Sequence, residues 1–128
     1  MKTTLKTLAA LTLLGASSLA MAADLDEDMD IIAGNYKTAL KTDSIATFKQ
    51  SLQNMRAAAQ DAQKATPPKL ENKAPDSAEM KDFRHGLDTL IVQIDGALTA
   101  ANQGKLAQAQ TLAQDFKTTR DSYHQKYR

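Results

Sequence analysis

The chain has 128 residues, with no cysteine or tryptophan, and 16 basic against 15 acidic side chains. That near balance gives no reason to expect nucleic acid or anionic lipid as a partner, because both select clustered cations. The missing thiols exclude disulfides, thiolate zinc sites and Cys-ligated iron–sulfur clusters, so the fold must hold by packing or by a bound group.

The first residues read as an address. Lys2 and Lys6 give a basic start, residues 8–19 an apolar run rich in Leu and Ala, and Ala20-Met21-Ala22 the small residues that a signal peptidase recognises. A signal peptide over 1–22, cut before Ala23, is therefore expected. The apolar run is well short of the ~20 residues that span a bilayer. Setting aside Lys2 and Lys6 leaves 14 basic and 15 acidic residues, a formal charge of −1 with both His neutral. Residues 23–128 are enough for one compact domain with one core, expected to be a monomer and not to insert into a membrane.

Four stretches then show helical period, and none alternates with period two. The first, about 25–40, puts Leu25, Met29, Ile32, Tyr36 and Leu40 on one face, with Gly34 as a local weak point of about 1 kcal/mol relative to Ala. Thr42-Asp43-Ser44 reads as a stop and a new N-cap. The second stretch carries Ile45, Phe48, Leu52, Met55 and Ala59 at alternating spacings of three and four, the seam that bundles use. Thr66-Pro67-Pro68 ends it, because proline cannot donate and disfavours helix in the residue before it. Residues 66–75 are the one long linker. Asp76-Ser77-Ala78-Glu79 resembles a capping box with Asp76 as the cap, and Met80, Phe83, Leu87, Leu90, Ile94 and Leu98 follow on one face. Asn102-Gln103-Gly104 is a C-terminal stop. The last stretch presents Leu106, Ala109, Ala113, Phe116, Arg120, Tyr123 and Tyr127. Two short connections and one longer one point to an all-α, antiparallel up-down-up-down four-helix bundle.

In that topology the first helix begins, and the last one ends, at the same end. Met29 lies ~7.5 Å and His124 ~6 Å along the axis from it. A thioether and an imidazole at matched depth on adjacent helices suit the two axial positions of a haem iron. Pattern alone does not choose between Met29 and Met80, which sits on the inner face of the third helix at the same end. Met55 lies deeper and reads as core. His124 falls at the edge of the apolar stripe, whereas His85 points outward and reads as a solvated side chain. Arg120 interrupts the apolar stripe of the last helix. Its guanidinium either pairs with a haem propionate or a facing carboxylate, or runs out to water along a packed stem. Other chemistries lack their parts. There is no Glu-x-x-His for a di-metal carboxylate site, no Ser, His and Asp grouping, and no phosphate-cradling glycine loop.

Several longer strings carry a resemblance. They are Met55-Arg56-Ala57-Ala58-Ala59, the run Gln63-Lys64-Ala65-Thr66-Pro67-Pro68-Lys69-Leu70-Glu71, and Pro75-Asp76-Ser77. Glu79-Met80-Lys81-Asp82-Phe83-Arg84-His85-Gly86, Lys117-Thr118-Thr119-Arg120 and Tyr123-His124-Gln125-Lys126-Tyr127-Arg128 extend it across the chain beyond the leader. In these the chain resembles the soluble cytochrome b562 family, itself an example of the up-down-up-down bundle. The resemblance implies a periplasmic electron carrier, not an enzyme, with one non-covalent haem b (protoporphyrin IX iron) per chain and unidentified redox proteins as partners. By matching positions it implies Met29 and His124 as the iron ligands. It also implies Phe83 and Leu87 against the ring, and Arg120 and Arg128 near the propionates. Tyr36 stands where the family tends to an aliphatic residue, and Leu87 replaces a larger aromatic. Two strong protein ligands leave no open coordination position, which favours outer-sphere electron transfer over oxygen or peroxide chemistry, and Met ligation raises the potential relative to two His ligands.

Overall fold

The computed structural model describes residues 24–127. The leader read over 1–22, its cut before Ala23, and Arg128 lie outside them. The helices are α1 (Leu25–Lys41), α2 (Ile45–Ala62), α3 (Ala78–Asn102), α4 (Leu106–Ala113) and α5 (Asp115–Tyr127), with a 3₁₀ turn at Pro68–Leu70. No strand occurs among the described residues, and no helix there is long and apolar enough to cross a membrane.

Local chemistry sets the ends of these rods. Asp24 accepts from the Glu27 amide at 3.1 Å, Ser44 from Thr47 at 3.2 Å and Ser77 from Met80 at 3.1 Å, so α1, α2 and α3 each open on a short oxygen acceptor that satisfies one orphan N–H. The cap of α3 is thus Ser77 and not Asp76. A cap on Asp76 would start the helix one residue early, whereas Ser77 reaches the amide three positions on. Gly104, at φ +80, makes the left-handed turn that closes α3. Two boundaries differ from the sequence reading. Helix α2 stops at Ala62, and Lys64 and Ala65 close tight turns onto Asp61 and Ala62 before the buried Pro67. The last rod is two segments, because Gln114 shares its N–H between the Gln110 and Thr111 carbonyls.

Cross-helix pairs reveal the directions. Between α1 and α2, Asn35 meets Asn54 while Asp28 meets Asp61; between α2 and α3, Arg56 pairs with Asp95 while Gln63 pairs with Asp88. Gly86 abuts Tyr123 while Asp82 bonds Tyr127, and Tyr36 meets Phe116 while Gln110 reaches Thr42. In every case one number rises as the other falls, so neighbouring rods run in opposite directions. The four rods close on a core of Ile32, Phe48, Leu52, Met55, Leu90, Ile94 and Phe116, each almost wholly withdrawn from water. Gln110 joins the first and last rods, donating from one amide nitrogen to the carbonyls of Ala39 (3.0 Å) and Thr42 (2.7 Å) and so capping α1 from outside.

Candidate functional site

One end of the bundle stays open. There α1, α3, α5 and the Pro67-Pro68 turn enclose a cavity of about 1140 Å³, larger than most small-molecule sites. Met29 and His124 both line it, together with Phe83, Leu87 and Arg120. Met29 and His124, expected at one end of the bundle, come together at this one cavity. Met29 is half-buried in the second turn of α1, while His124 is exposed near the end of α5. Phe83 and Leu87, each 7% exposed, form the apolar wall on α3. Met80 and Met55 are buried in the core instead, and neither is among the lining residues. His85 is exposed, as expected.

Arg120 takes a course between the two expected for it. Its guanidinium lies 5.8 Å from the centre of the Tyr36 ring, which in turn packs on Phe116 at 6.2 Å, and it donates to Asp121 at 3.1 Å. A stacked stem and a paired head thus hold one cation at the cavity wall. Lys117 and Arg120 keep the Asp121 carboxyl below the usual carboxylate range.

The end of α5 is tied to the start of α3. Tyr127 packs edge-on against Phe83 at 5.9 Å and donates its hydroxyl to Asp82, to which Lys126 also donates at 2.9 Å. These two donors hold Asp82 below its ordinary range, Tyr127 first. Burial, then the bond to Asp82, pushes the Tyr127 phenol up to about 12, so it remains a donor at any ordinary pH.

The sequence reading did not single out Gly86, Pro67 or Pro68 as part of this wall, nor Asp28 as buried beside it. Gly86 carried a signal, a glycine within an otherwise strongly helical run. Asp28 carried none, because an Asp in a first helical turn is ordinarily a solvated partner of the helix dipole. Among the described residues no group of three or more His, Asp or Glu side chains is placed to hold a metal ion. A soft thioether, an imidazole, apolar walls and a cation fit an iron porphyrin with acidic side groups.

Comparison with known proteins agrees. A family model described as Cytochrome b562 matches residues 24–128. The chain is 58% identical over 125 residues to the "Probable soluble cytochrome b562 2" of Yersinia pestis, covering 98% of each chain. To the "Probable soluble cytochrome b562 1" of the same organism it is 42% identical over 112 residues, or 88% of each. The chain belongs to the cytochrome b562 family.

Proposed function

We propose that this protein is a periplasmic haem-binding electron carrier, with one haem b held non-covalently per chain between Met29 and His124. The coarser part follows from the family: its members are electron-transfer haem proteins with a b-type haem, and not enzymes. The assignment of Met29 and His124 as ligands rests on one observation, that a thioether near the start of the first helix and an imidazole near the end of the last line the same cavity. Haem, when bound, supplies one-electron redox chemistry.

The chain's own residues do the rest. Met29 would supply a soft thioether donor that favours the reduced state, and His124 a harder imidazole donor. Phe83 and Leu87, buried on the cavity wall, would keep water away and the local dielectric low around a charge that changes by one. Arg120, already stacked on Tyr36, offers a guanidinium to an acidic side group of the ring, and Arg128 is assigned the same role from the resemblance alone. Residues 1–22 act as a cleaved export signal. The mature protein then works as a monomer on redox partner proteins still to be identified, without nucleic acid or membrane insertion.

A visible spectrum of the protein titrated with haemin, oxidised and then dithionite-reduced, tests the reading. A saturable one-to-one complex with a low-spin six-coordinate spectrum in both states is expected. A colourless protein that takes up no haem overturns it, and favours instead a structural bundle that binds partners through an amphipathic face.

A further inference from the structure

Among the described residues three glycines lie within helices, at Gly34, Gly86 and Gly96. A mid-helix glycine is unfavourable relative to alanine, so each needs a reason. At Gly34 and Gly96 an added Cβ would meet nothing within 4 Å. At Gly86 it would lie within 2.6 Å of three ring carbons of Tyr123, Cδ2, Cγ and Cε2. Real side chains do not approach so closely, and these are the root and flank of the ring, which cannot swing aside as the tip of a flexible chain would. The ring of Tyr123 is therefore seated flat against the backbone of α3, in a notch that only glycine leaves open.

That contact sits beside the proposed iron ligand. Tyr123 precedes His124, and both line the cavity. Helix α5 is otherwise held at its end by Tyr127 on Phe83 and Asp82, and further back by Arg120 over Tyr36. Phe116, its one buried residue, lies two turns away, and most of the rod is polar and exposed. Residues adjacent in a helix project about 100° apart, so the angle at which Tyr123 is seated sets the direction in which His124 leaves the helix. The contacts of Lys126 and Tyr127 with Asp82, and of Tyr127 with Phe83, hold the end of α5, while the ring of Tyr123 in its notch is the contact one residue from His124.

We infer that Gly86 and Tyr123 form a positioning pair that aims the His124 imidazole into the cavity. The inference deepens the haem reading and rests on it. The test compares Gly86→Ala, Tyr123→Ala, Tyr123→Phe and Gly86→Ala/Tyr123→Ala, with Gly96→Ala as the control for helix propensity. Each is titrated with haemin and followed by its spin-state spectrum, and the haem-free proteins are unfolded in urea.

Gly86→Ala is expected to weaken haem binding by about 10- to 100-fold, the usual cost of disturbing a ligand's support, and to add high-spin character. Tyr123→Ala is expected to do likewise. Tyr123→Phe, which keeps the ring, and Gly96→Ala are expected to bind as the parent does. In the Tyr123→Ala background, Gly86→Ala should cause no further loss, because its methyl group then has nothing to strike. Should Gly86→Ala alone fail to fold, the contrast between Tyr123→Ala and Tyr123→Phe in spin state decides the matter. Parental affinity and spin state in Gly86→Ala, or in Tyr123→Ala, overturn the inference, as does an equal Gly86→Ala loss with and without the ring. A parent that binds no haem overturns the haem reading instead.

Discussion

The carboxyl of Asp28 on α1, only 5% exposed, faces that of Asp61 on α2, and its Oδ2 meets no hydrogen-bond donor. Two acids share the α1–α2 seam where one acid and one amide would satisfy each other. Burial, then the hydrogen bond and charge of Asp61, pushes Asp28 up to about 7 from an ordinary 3.8. Glu27 and Asp24 add to this from the same turn. The N-terminal end of the α1 dipole favours negative charge there, but it does not outweigh the loss of water.

Asp28 makes stability depend on pH in an unusual sense. The folded chain holds this proton more tightly than the unfolded chain does. Its contribution is therefore full below about pH 4 and is lost as pH rises to about 7. Asp82, Asp95 and Asp121, held below their ordinary range by partners, act oppositely, and their contributions are lost as pH falls. The difference between parent and Asp28→Asn isolates the first effect. Urea unfolding should show Asp28→Asn more stable by about 1–3 kcal/mol at pH 8, the cost of an unsatisfied buried group, with the gap closing toward pH 4. A gap independent of pH would place the origin elsewhere.

Gln110 makes a second prediction that leaves the cavity untouched. Its amide nitrogen caps two carbonyls at the end of α1 from another rod, at the opposite end of the bundle from His124. Gln110→Ala leaves those carbonyls without that donor and should cost about 1–2 kcal/mol of folding stability. Haem affinity and spin state should not change, because the loss is far from the wall that holds them. A change in spin state with parental stability would reverse this assignment.

Much of this was legible beforehand because helical period and short polar caps are local signals. The seam of Ile45, Phe48, Leu52, Met55 and Ala59 needs no distant partner to be read, and Ser44 announces the start of α2 in its own side chain. The joint placement of Met29 and His124 was legible for a different reason. A bundle with short connections returns its first and last helices to one end, so distance along the chain becomes depth. What stayed hidden depends on contacts between rods. Asp28 is buried because α2 covers it, and Arg120 is held at the wall by Tyr36 on another rod as well as by its neighbour Asp121. The reason for a glycine at 86 lies on another rod, in the ring of Tyr123 seated against it.

Without disulfides the bundle has one external source of added stability, a group that binds only the folded state. Haem should raise the melting temperature by linkage. Free haem at one hundred times its dissociation constant contributes about 2.7 kcal/mol, which in a domain of this size corresponds to roughly 10–20 °C. Scanning calorimetry with and without haem tests this. Equal melting temperatures would mean that haem binds the unfolded chain as well, or does not occupy the cavity between α1, α3 and α5.

The choice between Met29 and Met80 separates a ligand from a core side chain. Met80 is 4% exposed and packs in the core, so Met80→Ala should cost about 2–5 kcal/mol in the haem-free protein through the space it leaves. Its haem complex should keep a low-spin spectrum while it stays folded. Met29 is half-buried at the cavity wall, so Met29→Ala should cost the haem-free protein less than Met80→Ala does. Yet it removes one of the two proposed iron donors, and the haem complex should turn high-spin and bind added imidazole at the opened position. Leucine at 29 restores the apolar volume but not the sulfur, so Met29→Leu should recover any lost stability and still be high-spin. The pattern of the three variants distinguishes the roles, since packing responds to volume and coordination to sulfur. A low-spin Met29→Ala complex with a high-spin Met80→Ala complex would move the ligand to α3.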